Sequence, residues 1–387
     1  MNPKSEDLRT RFFVGSVAIL TLAGLFLRIR NLDGPSLWLD ELTILAWSDT
    51  ASWEGSMSPN KAGKVMFGLE GLFYFIALNL LGDSDLALRS ISAISGTILL
   101  VIIADFSRKE MGDSVGVMSI GMLVASYMAV WYSQEGRVYM VATTMLWLAF
   151  LLMQETSKNS PSMRFCIISL LSFCYLIHWF SAIVVVLGLT SRWIQLLFLT
   201  SEKTSPKSVF SRSNLSKSLD PELGSIPLYA FAIISLGFFC IPEMFESNSS
   251  PLFAWISPTP DNPQIVLLDY IFGITSWTGG LPVSWLSEAL WLLILSSPVA
   301  LLIHSKIREG EFSISQQPEW FLWVTGPGVL AIAVVYSEYS TPVFVPRYFL
   351  FSLPSWIILI ATSAYRWFSI CIEFSQVIEK DDVQRLV

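Results

Sequence analysis

Three short stretches of this chain combine acidic, basic and aromatic side chains in a way that could do chemistry. The first reads RIRNLDGPSLWLDELTILAW, in which the adjacent carboxylates Asp40 and Glu41 follow Trp38. A carboxylate near a membrane surface can take the proton from an attacking hydroxyl, or can hold a metal. The plain alternative is a solvated loop in which Asp40 caps the helix that follows. The second stretch, AVWYSQEGRVYMVATTM, crowds Gln134, Glu135, Arg137 and Tyr139 into one turn. Arg137 can bridge a carboxylate and a phosphate there, although a helix-end ion pair would use the same residues. The third, VFVPRYFLFSLPSW, sets Arg347 and Tyr348 after Pro346 at the entry to a helix, where a snorkelling arginine is the alternative. His178, in CYLIHWFSA, stands alone in an apolar run, and a structural imidazole competes with direct chemistry. Asp40, Glu41, Glu135 and His178 together offer enough donors for a divalent metal, whose use the residues leave open. HExxH, CxxC, P-loop and GxSxG patterns do not occur, which removes the zinc-protease, redox, NTPase and hydrolase-elbow readings.

The elements that must position these residues are set by composition. Of 387 residues 53% are apolar and only 14% charged, with 15 Trp and 26 Phe. Soluble proteins carry roughly 25% charge, so the class is an all-α polytopic membrane protein. A net charge of −7 with no basic cluster on a soluble domain excludes a nucleic-acid partner. The four cysteines, Cys166, Cys174, Cys240 and Cys371, all lie in apolar segments and suggest core packing, not a disulfide framework. Lys4, Arg9 and Arg11 precede a first apolar run that reads as a retained signal anchor.

Further apolar runs occur at 66–81, 90–106, 115–132, 140–153, 163–199, 227–241, 265–277, 284–303, 320–336 and 348–370. The run 163–199 is too long for one span of a ~30 Å hydrocarbon core and is expected to break near His178. The run 265–277 is short and carries Asp269, so it reads as interfacial. With the N-terminus inside and 66–81 lying on the surface, about ten spans result. Seven of the 24 Lys/Arg then fall outside, in accord with the positive-inside rule. An eleven-span chain with its N-terminus outside satisfies that rule equally. On the ten-span reading the outer face is acidic, and Arg28, Arg30, Lys61, Lys64, Arg89, Arg137 and Arg347 are the candidates for an anionic group there.

The expected organisation is a cytoplasmic N-terminus (1–11), an N-terminal membrane module (12–199) with a long first outer loop at 30–89, a Ser-rich cytoplasmic linker (200–226), a C-terminal module (227–370) with an outer loop at 242–283, and a cytoplasmic tail (371–387).

Taken together and in order, these stretches resemble the GT-C glycosyltransferases, the polytopic enzymes that include protein O-mannosyltransferases and lipid A aminoarabinose transferases. Arg28 or Arg30 followed by SLWLDE at 36–41 is similar to that family's arginine and SLWxDE. GDSDLALRSISAISG at 82–96 resembles GxSExALRxxSAxxG, and YSQEGRVYM at 132–140 resembles YSQExRxYxL. His178 in a broken apolar run, WISPTP at 255–260 and RYFLFSLP at 347–354 complete the likeness. It implies that the loop carrying Asp40 and Glu41 is outside, with membrane-parallel amphipathic helices after it. It also implies an outer-leaflet polyprenyl-phosphate sugar donor and inversion at the anomeric carbon. Asp40 would be the base with Glu41 its partner, and Arg137 and Arg347 would hold the phosphate. Glu135, Tyr139, Tyr348, Trp38, His178 and Trp255 are the further substrate-binding candidates, the aromatics by stacking on sugar or polyprenyl.

The chain departs from the family at 67–78, where FGLEGLFYFIAL lacks the Pro-Pro pair and its preceding basic residue; Lys61, Lys64 or Glu70 are candidates to substitute. Larger members carry a soluble C-terminal domain, so acceptor recognition is expected here from loops 30–89 and 242–283. The acceptor would be a hydroxyl of a glycan, lipid or protein, and the site a plasma (inner) membrane with both termini cytoplasmic. A lipid-linked-sugar flippase is the competing class, for which mid-span charges and a repeat between halves would speak. A polyprenyl-diphosphate glycan polymerase or ligase would keep similar arginines.

Overall fold

A computed structural model describes residues 3–47, 65–82, 84–154, 160–203, 259–274, 284–309, 319–339 and 344–386. Trp255, Lys61, Lys64, Cys240, the 204–226 part of the Ser-rich linker, the run 227–241 and most of the loop 242–283 lie outside the described residues.

Every regular element among the described residues is helical, as lipid requires of a chain whose backbone must satisfy its own hydrogen bonds. We number them α1 (Pro3–Ile29), α2 (Leu39–Trp47), α3 (Val65–Leu81), α4 (Asp85–Met111), α5 (Asp113–Ala125), α6 (Tyr127–Ser133), α7 (Tyr139–Gln154), α8 (Pro161–Ile177), α9 (Trp179–Lys203), α10 (Pro263–Phe272), α11 (Ser284–Leu295), α12 (Ser297–Glu309), α13 (Glu319–Thr325) and α14 (Pro327–Tyr339). A 3-10 turn (Pro346–Ser352) then leads into α15 (Leu353–Leu386).

Among the described residues, four helical segments are long and apolar enough to cross a membrane: Glu6–Ile29, Asp85–Met111, Glu319–Tyr339 and Pro346–Ser375. The bent pairs α5–α6 and α11–α12 raise this to six if each is one span. The protein is therefore an integral membrane protein. Of the other expected spans, those on α7, α8 and α9 are shorter apolar helices, and the run 227–241 is outside the described residues. The long run 163–199 does break at His178, between α8 and α9. The tail from 371 continues α15 instead of forming a separate segment.

Local signals explain the helix ends. Ser84 caps α4 by accepting from the Ala87 amide, and Gly112, at φ 95°, stops it in a conformation that a side chain would resist. On α1, Phe12, Ile19, Leu22 and Phe26 stay exposed, forming a lipid-facing stripe, while Phe13 turns into the core. Helices from both ends of the chain share one hydrophobic core. Trp147 is its hub: fully buried, edge-on to Phe106 and Phe321, with its indole N–H donated to the Phe351 carbonyl at 3.1 Å.

The run 115–132 was expected to be one helix and is two, bent by 61° at Ser126. The Ser126 side chain accepts from the Ala129 amide and donates to the Ile271 carbonyl, so it caps α6 and ties the bend to α10. Arg28, wholly buried at the end of α1, donates to the Leu123 carbonyl, the Ser133 hydroxyl and the Gly24 carbonyl around the same bend. A methyl group at Gly96 would strike Ser133 Oγ and crowd the Arg28 guanidinium. Arg28 thus holds α5 and α6 in place and is not one of the cations available to an anionic ligand.

Candidate active site

Apart from Trp255, which is outside the described residues, the candidate site residues lie near one end of the helical bundle. The loop after α1 and the first turn of α2 supply Trp38, Asp40 and Glu41, the α6–α7 loop supplies Glu135 and Arg137, the α8–α9 break supplies His178, and the 3-10 turn supplies Arg347 and Tyr348.

Two buried carboxylates build the framework. Glu41 is fully buried and grips Arg89 through both oxygens, Nε to Oε1 at 2.9 Å and Nη2 to Oε2 at 2.7 Å. It also accepts the Gly136 amide at 2.7 Å and reaches back to the Trp38 amide, half of a capping box on α2. Burial works against the charged form, but the hydrogen bonds from Arg89 and Gly136 outweigh it and hold Glu41 below the usual carboxylate range. Arg89 spends its other donors on the carbonyls of Leu32, Pro35 and Ser36, so the first loop is laced to α4. Glu41 thus ties the start of α2 to α4 and to the α6–α7 loop.

Glu70 is the second carboxylate. It accepts Arg137 Nε at 2.9 Å and Nη2 at 3.2 Å, and also the Val138 amide at 3.3 Å. Sequence reading marked Glu70 only as a possible substitute for absent family residues; its partner lies 67 positions away, and no spacing rule could have named it. Through Glu70, α3 therefore touches the α6–α7 loop.

Asp40 differs from both. Its Oδ2 meets Arg347 Nη1 at 3.0 Å and Arg137 Nη1 at 3.4 Å, and its side chain is 28% exposed. It lies inside α2, not at its cap, and points to the two arginines. Arg347 passes over the faces of Trp38 and Tyr348, and Arg137 over Tyr139. Trp38 is partly exposed beside them.

His178, Tyr139 and Tyr348 form an aromatic floor. The imidazole lies tilted against Tyr348 at 4.9 Å and edge-on to Tyr139 at 5.4 Å, and its Nδ1 accepts the Phe180 amide at 3.1 Å. Burial lowers the His178 pKa to about 3, with Arg137 and Arg347 pushing the same way, so the ring is neutral. Tyr139 and Tyr348 are buried, which leaves Trp38 as the accessible stacking surface among the described candidates. Glu135 Oε1 accepts the Trp131 indole N–H at 2.6 Å, and burial raises this carboxyl to about 7.

The four residues considered for a metal are not gathered. Among the described residues no three His, Cys, Asp or Glu side chains stand together as a metal group. Glu41 is committed to Arg89, Glu135 Oε1 to Trp131 and His178 Nδ1 to a backbone amide. What the arrangement offers instead is a partly exposed carboxylate between two guanidinium groups, with an indole face beside it.

No family model matches the chain, and no curated protein matches it by sequence. The fold does have solved counterparts. The crystal structure of ArnT from Cupriavidus metallidurans in the apo state matches with a TM-score of 0.50 at 15% identity, covering 95% of this chain and 63% of that one. The crystal structure of the same protein bound to undecaprenyl phosphate matches with a TM-score of 0.46 at 14% identity, over the same shares. The chain thus shares the fold of that ArnT structure and spans about 63% of the length of the solved chains it matches.

Proposed function

We propose that this chain is an integral-membrane glycosyltransferase of the GT-C type that moves a sugar from a polyprenyl-phosphate donor to a hydroxyl of a glycan, lipid or protein. The observation that carries the reading is the convergence of Arg137 and Arg347 on Asp40. It joins a base and a pair of phosphate-binding cations at one end of an apolar bundle, where a lipid-linked donor would present its headgroup. The shared fold and the order of the sequence motifs support the same class.

In this reading the two guanidinium groups hold the donor phosphate and stabilise the charge that gathers on it as the anomeric C–O bond breaks. Asp40 takes the proton of the acceptor hydroxyl as that oxygen attacks from the opposite side, which inverts the anomeric carbon. Trp38 provides a face for the sugar or the first isoprene units. Glu41, Arg89 and Glu70 fix the geometry without touching substrate.

On the ten-span topology the site faces the outer side of a cell membrane, with both termini cytoplasmic, and acceptor recognition falls to the loops 30–89 and 242–283. A flippase would need charge along a path through the bilayer, whereas the Asp40, Arg137 and Arg347 cluster gathers at one end.

The test is transfer by purified protein in lipid, with labelled polyprenyl-phosphate sugars and a cell-envelope extract as acceptor. Donor-dependent product that disappears in Asp40→Asn supports the assignment. Movement of lipid-linked sugar between leaflets without product, equal in both proteins, would overturn it in favour of transport.

A further inference from the structure

The distribution of partners around Asp40 points to an order of events that the reaction class does not itself require. Arg137 is anchored: two of its nitrogens are taken by Glu70, a carboxylate 4% exposed, and only Nη1 reaches Asp40. Arg347 rests on two aromatic faces and reaches Asp40 with its own Nη1. The arginine side chains are 9% and 13% exposed, whereas Asp40 is 28% exposed. The carboxylate therefore sits on the open side of both cations. A phosphate arriving from that side seeks the same two guanidinium groups that Asp40 occupies.

Resting on the glycosyltransferase reading above, we infer that Asp40 and the donor phosphate compete for Arg347 and Arg137, so that donor binding releases Asp40 from its ion pairs and makes it available to the acceptor. Two anions sharing one pair of cations repel each other and divide the same donors, so binding of one weakens the hold on the other. Arg137 keeps its place because Glu70 retains it, and Asp40 is the partner that gives way.

The reaction then balances as follows. The donor phosphodiester takes the arginines, and the freed carboxylate accepts the proton of the acceptor hydroxyl. The hydroxyl oxygen forms its bond to the anomeric carbon, and the electron pair of the breaking C–O bond leaves on the phosphate. The product is a polyprenyl monophosphate, which holds the arginines until it departs. Asp40 then gives its proton to water and returns to Arg347 and Arg137. Without donor, the base is engaged by cations and acceptor hydroxyls are left untouched.

The experiment measures binding of undecaprenyl phosphate, the sugar-free lipid, to full-length protein in nanodiscs, for wild type, Asp40→Asn and Asp40→Ser, with sugar transfer assayed on the same preparations. Melting curves and monodispersity confirm that each variant is folded. Competition predicts that both charge-free variants bind the lipid phosphate more tightly than wild type, by at least about threefold, while transfer is lost. Unchanged or weaker binding in the folded variants, with transfer lost, overturns the competition and leaves Asp40 as the base. Transfer retained in the variants removes the base assignment and this inference with it. Wild-type protein that binds no lipid phosphate overturns both.

Discussion

Glu70 and Arg137 form a two-point ion pair, 2.9 and 3.2 Å, between a helix early in the chain and the loop that carries the proposed phosphate ligand. The same carboxylate accepts the Val138 amide, so both the Arg137 side chain and the backbone beside it are referenced to α3. Glu70→Gln keeps the shape and removes the charge. The donor KM should rise about tenfold or more, with a smaller change in kcat, because a less constrained guanidinium still reaches the phosphate but is no longer pre-aimed. Steady-state kinetics at varied donor concentration test this; an equal fall in kcat and kcat/KM, with KM unchanged, would count against a positioning role.

Asp40→Asn should lower turnover by about two to four orders of magnitude, the usual worth of a general base. Its melting temperature should stay near that of the wild type, since the side chain is partly exposed and its neighbours keep other contacts. Single-turnover transfer and a thermal-shift curve on one preparation check both halves.

Glu41→Ala should behave in the opposite manner. Removing one partner of a buried ion pair leaves Arg89 as an uncompensated buried charge, at a cost of about 3–5 kcal/mol. Loss of folded protein on extraction and a large fall in melting temperature are expected before any kinetic parameter can be measured. A Glu41→Ala protein that melts like wild type would show that the Arg89 network is dispensable.

The Glu135 carboxyl, raised by burial to about 7, makes stability depend on pH. A folded-state value above the unfolded one means that the native protein binds the extra proton, so this contribution is full below about pH 4.5 and is lost as pH rises through about 7. The melting temperature should therefore climb on acidification from pH 7.5 to 5.5. Glu135→Gln should flatten that slope. A slope identical in the two proteins would assign the dependence to other groups.

The membrane class, the site loops and the break at His178 were legible in the sequence, because hydropathy and local residue types report them directly. The bend at Ser126 was not. That residue is flanked by apolar helix formers, and the interactions that stabilise the break come from Ile271 and Arg28, both more than ninety positions away. Asp40 and Glu41 show the same limit at closer range. They are adjacent and chemically alike, yet one is sealed on Arg89 and the other faces two arginines at the open side, a division set by helix phase and by partners elsewhere. Arg89 was visible as one of seven cations, but its attachment to Glu41 was not.

The α6–α7 loop has a further consequence. Glu41 holds the Gly136 amide and Glu70 the Val138 amide, so the peptide groups on either side of Arg137 are pinned by carboxylates from two different helices. A methyl at Gly136 would also strike Leu88. The conformational entropy of ordering this loop has been surrendered during folding, and a ligand reaching Arg137 meets a surface that need not rearrange. Selection on this short stretch is then doubly constrained, since the backbone that presents the cation is also the seam along which the first loop, α3 and α4 are joined.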